Sequence, residues 1–274
     1  SEAQMLTLRH LVFVALGPAF ALSWQAAAQE MTPHRAVYSV TTLDRGKPDG
    51  GIPGTYAFEL KLTCDGYVIN QRLKLEVASA RMPVVSEQQS QMTESRDGRK
   101  FHFEHLATAN GKQISLFKGD ALLDDSGGGE ARFADPEGQT VALPAGTLFP
   151  VSMARAAIRR AKAGENGLDA LFFFGDKVKP PQAVNVVIGK VPKRFADLKI
   201  PEGAEALAEG RTRIYYRAGF FDVDGKKGQG EPAFEMSSVT LDNGIELFGT
   251  HEQLESGIEY RITRLEVLPA PTCN

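Results

Sequence analysis

From residue 34 to the end of the chain, apolar and polar positions alternate in run after run. In 34–43, Ala36, Tyr38 and Val40 share one face. In 54–64, Tyr56, Phe58, Leu60 and Leu62 fall on one side with Glu59 and Lys61 between them, so Cys64 is expected on the apolar face at the end of that strand. After an Asp65-Gly66 turn the pattern continues, with imperfect phase, through 67–77. In 100–106, Phe101, Phe103 and His105 oppose His102, Glu104 and Leu106. A period of two sends successive side chains to opposite faces, so each run predicts a β-strand with one buried side. Asn110-Gly111 is a hairpin dipeptide, with 113–123 as its return strand. Further strands are predicted over 169–178, 183–190, 211–223, 233–241, 245–250 and 257–268, with Asp242-Asn243-Gly244 as a second turn of the hairpin type. Residues 86–94 read instead as a long polar segment ending at Asp97-Gly98. Ser126-Gly127-Gly128-Gly129 reads as a plain turn, since it lacks the Lys-Ser/Thr of a phosphate-binding loop and any helix behind it.

One segment changes period. Val151, Ala154, Ala157, Ile158 and Ala161 recur at spacings of three and four, while Arg155, Arg159, Arg160 and Lys162 decorate the other side. Pro150 or Ser152 starts the helix and Gly164 ends it. This amphipathic helix either packs on the sheet surface or plugs and lines a cavity with its basic face, which makes Arg155 and Arg159 candidate binding residues. Many strands and one helix predict an all-β fold: a large antiparallel sheet, curled or nearly closed to limit its edges. No repeat of 20–50 residues is present.

The N-terminus follows another logic. Arg9 and His10 precede an apolar stretch, 11–24, of about 14 residues, short of the roughly 20 that span a bilayer. Ala26-Ala27-Ala28 follows. A basic region, a short apolar core and an A-x-A site predict a secretory signal over 1–28, cleaved between Ala28 and Gln29, and a single mature domain over 29–274. The expected location is the periplasm, with no transmembrane segment in the mature chain. The formal net charge of −3 gives no argument for a nucleic-acid partner.

Both cysteines, Cys64 and Cys273, lie in the predicted mature chain. Export places them where thiols pair, and with two cysteines the intramolecular bond joins them. An intermolecular bridge and a redox-active or metal-binding pair are the alternatives, the latter without C-x-x-C spacing to support it. The loop is long, so chain-entropy arguments put the stabilisation near ~5 kcal/mol.

Little chemistry is legible. His102 and His105 are three apart on a strand and so face opposite ways, which makes them poor co-ligands. No H-E-x-x-H or G-x-S-x-G occurs. No catalytic residue, metal site or cofactor is predicted. Phe172, Phe173, Tyr215, Phe220 and Phe221 are candidate lining residues of a cavity, with ordinary core packing as the alternative.

Several segments together resemble the EipB family of periplasmic cell-envelope integrity proteins of alphaproteobacteria. They are His34-Arg35-Ala36-Val37-Tyr38, Thr63-Cys64-Asp65-Gly66-Tyr67, Glu94-Ser95-Arg96-Asp97-Gly98, Leu143-Pro144-Ala145-Gly146-Thr147-Leu148-Phe149-Pro150, Phe174-Gly175-Asp176, Gly249 with Leu254, and Cys273. The resemblance implies a β-spiral, an open barrel-like coil of about fourteen antiparallel strands. It also implies a helix near the lumen, a disulfide from a strand to the C-terminus, and a monomer or weak dimer. It implies an envelope role under stress and no catalytic residues. Three functions follow as expectations: a non-enzymatic envelope-integrity protein that binds another envelope component, a carrier or chaperone holding a lipid or lipoprotein acyl chain, and a hydrolase with an unrecognised site.

Overall fold

The computed structural model describes residues 31–44, 51–77, 84–223, 230–253 and 256–273. The predicted signal, its cleavage site at Ala28 and Gln29, and Leu254 lie outside the described residues. Among the described residues there are fifteen strands: β1 (His34–Asp44), β2 (Pro53–Leu62), β3 (Gly66–Val77), β4 (Val84–Ser95), β5 (Lys100–Ala109), β6 (Lys112–Leu123), β7 (Gly129–Asp135), β8 (Thr140–Leu143), β9 (Thr147–Leu148), β10 (Gly167–Phe172), β11 (Gln182–Gly189), β12 (Arg213–Phe221), β13 (Phe234–Leu241), β14 (Glu246–Gln253) and β15 (Ser256–Val267). A helix, α1 (Pro150–Lys162), separates β9 from β10.

All fifteen strands join one sheet in the order β8-β7-β6-β5-β4-β3-β2-β1-β15-β14-β13-β12-β11-β10-β9. Every neighbour is antiparallel except β9 and β10, which run parallel. The fold is therefore the expected nearly closed, barrel-like coil with one helix and one disulfide. The strand count rises from the fourteen implied by resemblance to fifteen, and one parallel pair is added.

The order explains how the coil forms. The chain meanders outward from β1 to β8, then returns from β9 to β15, so that its last strand pairs with its first. That seam is a full ladder, from His34 opposite Val267 to Asp44 opposite Ser256. Arg35 straddles it, paired with Glu59 on β2 and Glu266 on β15. The two ends of the sheet, β8 and β9, are consecutive in the chain and do not pair. Coiling brings most backbone groups to a partner and leaves only short edges.

Residues 86–94, a long polar segment in the sequence, form most of β4, paired along its length with β3 and β5. Of its inward side chains Met92 joins the core, while Ser90 and Glu94 are polar yet partnered: Ser90 bonds His105 at 2.8 Å, and Glu94 bonds the helix. Partnering removes the usual cost of burying such groups. The run predicted over 169–178 ends early, because Phe173 leaves the sheet to pack against Phe103, ring to ring at 5.8 Å. Cys64 lies beyond β2 and is exposed, not on its apolar face.

The helix lies inside the coil. Val151, Met153, Arg155, Ala156, Ala157 and Ile158 are all buried. Val151 and Ile158 join a core with Phe101, Phe103, Phe149 and Phe173, while Met153 packs with Val184, Val186, Ala218 and Phe220. Alanine at Ala154, Ala156 and Ala157 keeps the helix thin enough to fit between sheet walls. Phe195 packs against the other face of the sheet, its ring tilted on Phe248 at 4.3 Å beside Val239, so β13 and β14 are covered there on both faces, while Ala204 is buried with Tyr38, Leu241 and Tyr260.

Candidate functional site

Two buried carboxylates organise the interior. The first, Glu94, anchors the helix. The helix has no side-chain cap of its own at Phe149 and no acidic residue in its first turn. Glu94, 2% exposed, supplies what is missing from β4: it accepts the Val151 N–H at 2.7 Å, the Ser152 N–H at 2.8 Å and the Ser152 Oγ–H at 2.5 Å. A carboxylate at a helix N-terminus satisfies orphan donors and complements the helix dipole. Burial pushes its pKa up, while these hydrogen bonds and nearby Arg155 pull it back down.

Around Glu94 several of the segments that carry the family resemblance meet. Arg155 donates to the Arg96 carbonyl at 3.0 Å and lies 5.8 Å over the Tyr67 ring. Arg96 donates in turn to the carbonyls of Cys64 at 3.0 Å and Thr63 at 3.1 Å. Cys64 is bonded to Cys273, 209 residues away in sequence. Residues 63–67, 94–98 and the helix entrance thus form one junction, tied by the disulfide to the tail.

The second carboxylate, Glu246, borders a cavity of about 170 Å³ between the helix and the sheet. A register shift between Val239 and Thr240 accompanies its placement on β14. Ser238 Oγ donates to one carboxylate oxygen and Tyr260 Oη to the other, the latter at 3.2 Å. The Tyr38 hydroxyl donates to the Glu246 carbonyl at 3.0 Å, and Ser238 and Thr240 share a bond of 2.8 Å. Among the described residues no Lys or Arg pairs with this carboxylate, so burial dominates and raises its pKa to about 7, against the lowering pull of the two hydroxyls. Burial, with the Glu246 charge adding to it, also raises the phenols of Tyr38, Tyr56, Tyr216 and Tyr260.

His34 stands on the same cavity. Its Nδ1 lies 2.7 Å from the Thr32 carbonyl, an atom that only accepts, so Nδ1 carries the proton. Burial lowers the ring's pKa and keeps it neutral, which leaves Nε2 as an acceptor; that atom is buried and without a partner. The helix contributes Pro150, Val151, Ala154 and Ile158 to the wall.

The helix therefore lines a cavity, as one sequence reading held, but with its apolar side. Arg159 is exposed, and Arg155 is turned toward Arg96 and Tyr67. The candidate aromatics are not its lining either. Phe172 and Phe220 meet edge to face at 5.6 Å in the core, and Phe173 packs with Phe103 and Phe133. Tyr215 points to the opposite face, against Phe195, and Phe221 alternates with Phe220 to that face too. Phe172 and Phe173 border only a second cavity of about 30 Å³. A larger open groove of about 570 Å³ passes Lys100, His102 and Asp120, but its buried carboxylate is Glu94, already committed to the helix. The sequence signal for this candidate site was a glutamate on an inward position of a strand, two residues after Asn243-Gly244. Among the described residues no cluster of three or more metal-ligating side chains forms, and no helix is long and apolar enough to cross a membrane.

A single sheet coiled round a buried helix, with a disulfide pinning its tail, defines a class of barrel-like β-proteins. The chain belongs to the EipB-like family, whose model matches residues 25–268. Among solved structures it is similar to a β-barrel-like protein of domain of unknown function DUF1849 from Brucella abortus, with a TM-score of 0.77 and 24% identity. That likeness covers 88% of this chain and all of the other, and at this identity it speaks to the fold alone. Comparison with curated proteins returns no match.

Proposed function

We propose that this chain is a non-enzymatic periplasmic protein that maintains cell-envelope integrity by binding another envelope component. Membership of the EipB-like family supports the envelope setting. The observation that carries binding over lipid carriage is the filled interior. The helix and its aromatic shell occupy the coil, and the cavity left beside the helix is about 170 Å³. Pockets for drug-sized ligands run from about 300 Å³ upward, so an acyl chain does not fit into that cavity without expelling the helix. Glu94 and the disulfide junction hold that helix in place.

Deleting the gene and challenging the strain with detergent and β-lactam tests the proposal. Sensitisation reversed by the wild-type gene is the expected result, and normal growth under both would remove the envelope role. Native mass spectrometry of protein from a mild extract separates the readings further: a bound lipid mass would favour the carrier. Turnover on a broad substrate panel, abolished by one substitution, would favour a hydrolase.

A further inference from the structure

Glu246 and His34 border one cavity, and each presents an acceptor that the protein leaves unmatched by a cation. Glu246 holds its carboxylate with two hydroxyls, and no basic residue reaches it among the described residues. His34 is 1% exposed, and its buried Nε2 lacks a partner. A buried carboxylate ordinarily finds a cation or stays protonated. The rest of the wall is aromatic and aliphatic, including Tyr38, Phe58, Ile69 and Ile158. The cavity is not fully enclosed, and its volume of about 170 Å³ suits a ligand of benzene's size, since a cavity of roughly 150 Å³ admits benzene.

We infer that this cavity binds a small organic ammonium of about six heavy atoms. Its N–H groups donate to the Glu246 carboxylate and to His34 Nε2, and its hydrocarbon part lies against the apolar wall. The shared chemistry has two sources, a free alkylamine or the side chain of a lysine on a partner. The inference does not depend on the envelope role.

The pH response isolates Glu246. The ionisable groups facing it are Tyr38 on β1, Tyr56 on β2, Tyr216 on β12, Tyr260 on β15 and, on the same cavity, His34; the helix presents none. The phenols stay protonated and His34 stays neutral near neutrality, so the carboxylate alone changes charge there. An ammonium must displace its proton below about pH 7.

Isothermal titration of the whole mature protein with n-butylammonium, butan-1-ol and Nα-acetyl-lysine amide tests this. Butylammonium is expected to bind about tenfold tighter at about pH 8 than at about pH 6, the change set by deprotonating one group of that pKa. Butan-1-ol, of similar shape but uncharged, and the Glu246→Gln variant with butylammonium should each bind at least about tenfold more weakly. His34→Phe should weaken binding a few-fold. Binding of the lysine amide as tight as that of butylammonium assigns a partner's lysine as a source; binding of butylammonium alone assigns a free amine. Equal affinity for alcohol and amine, an unchanged Glu246→Gln, or no saturable binding of the amine would overturn the inference. Should Glu246→Gln not fold, the alcohol comparison and the pH profile on the parent protein decide it.

Discussion

Glu94 and Glu246 are both inward-facing glutamates of one sheet, and the protein uses them in opposite ways. Glu94 is surrounded by donors that belong to the fold: two helix N–H groups, a serine hydroxyl and the nearby Arg155. Its acceptors are spent on holding the helix. Glu246 receives two hydroxyls, no backbone donor and no cation, and it borders open space. A carboxylate saturated by rigid donors is structural, while one left short of charge beside a cavity is available to a ligand. The distinction lies in their partners, because both are removed from bulk water.

The largest effect should come from the covalent tie at the Glu94 junction. Cys64→Ser is expected to lower stability by about 3–5 kcal/mol, since the bond closes a loop over most of the chain. The β content should persist, because the β1–β15 ladder joins the ends of the chain without the disulfide. Urea unfolding followed by far-ultraviolet dichroism checks both halves; an unchanged midpoint would show that the junction holds without it.

Glu94→Ala comes next, at about 3 kcal/mol, because it strands two helix N–H groups and leaves Arg155 buried without its nearby carboxylate. Glu94→Gln should recover part of the loss, since its amide oxygen still accepts from the helix. Thermal melts of the pair measure this. If Gln behaves like Ala, charge rather than hydrogen bonding makes the anchor.

Two glycines sharpen the contrast at about 2 kcal/mol each. Gly98 has φ +71° and lies against Ser152, so Gly98→Ala strains the backbone and pushes on the hydroxyl that Glu94 holds. Gly249 lies under the Tyr260 ring, and a Cβ there would overlap it. Gly249→Ala should therefore drive the Tyr260 hydroxyl off Glu246 and alter the pH dependence of stability, whereas Gly98→Ala should lower stability equally at all pH values between about 5 and 8. Chemical denaturation across that range distinguishes them, and identical pH profiles would erase the proposed difference between the sites.

The alternation of Tyr56, Phe58, Leu60 and of Phe101, Phe103, His105 was enough to read most strands, because period two survives wherever one face is buried. It failed at β4, where Ser90 and Glu94 occupy inward positions and are satisfied by His105 and the helix, partners that no local window contains. It missed β7 and β8 because four to seven residues carry too few repeats to show a period. The disulfide was legible because two cysteines in a chain whose N-terminus reads as an export signal leave one internal pairing. The cavity was not: Phe172 and Phe220 look like a lining in sequence but pack on each other, and Glu246 acquires its setting from five strands besides its own.

The subtlest prediction concerns Glu246 itself. Its pKa is raised to about 7 in the folded chain, above the carboxylate value it regains on unfolding. The folded state therefore holds a proton that the unfolded state has released, so this group's contribution to stability is complete below about pH 4.5 and is lost as pH rises through about 7. Between about pH 5 and 8 the parent should lose about 2 kcal/mol on this account, after discounting for the solvent that the cavity admits. Glu246→Gln removes the titration while retaining an acceptor for Ser238 and Tyr260. It should match the parent near pH 5 and exceed it near pH 8, with the gap opening across the interval. Glu94→Gln should lose stability already near pH 5, where Glu246→Gln does not, because it gives up a carboxylate that two helix N–H groups and a serine hydroxyl hold; burial still leaves the Glu94 pKa raised, so part of that loss should shrink as pH rises. A Glu246→Gln protein less stable than the parent near pH 8 would mean that Glu246 has found a cation after all, and the two glutamates would then be alike.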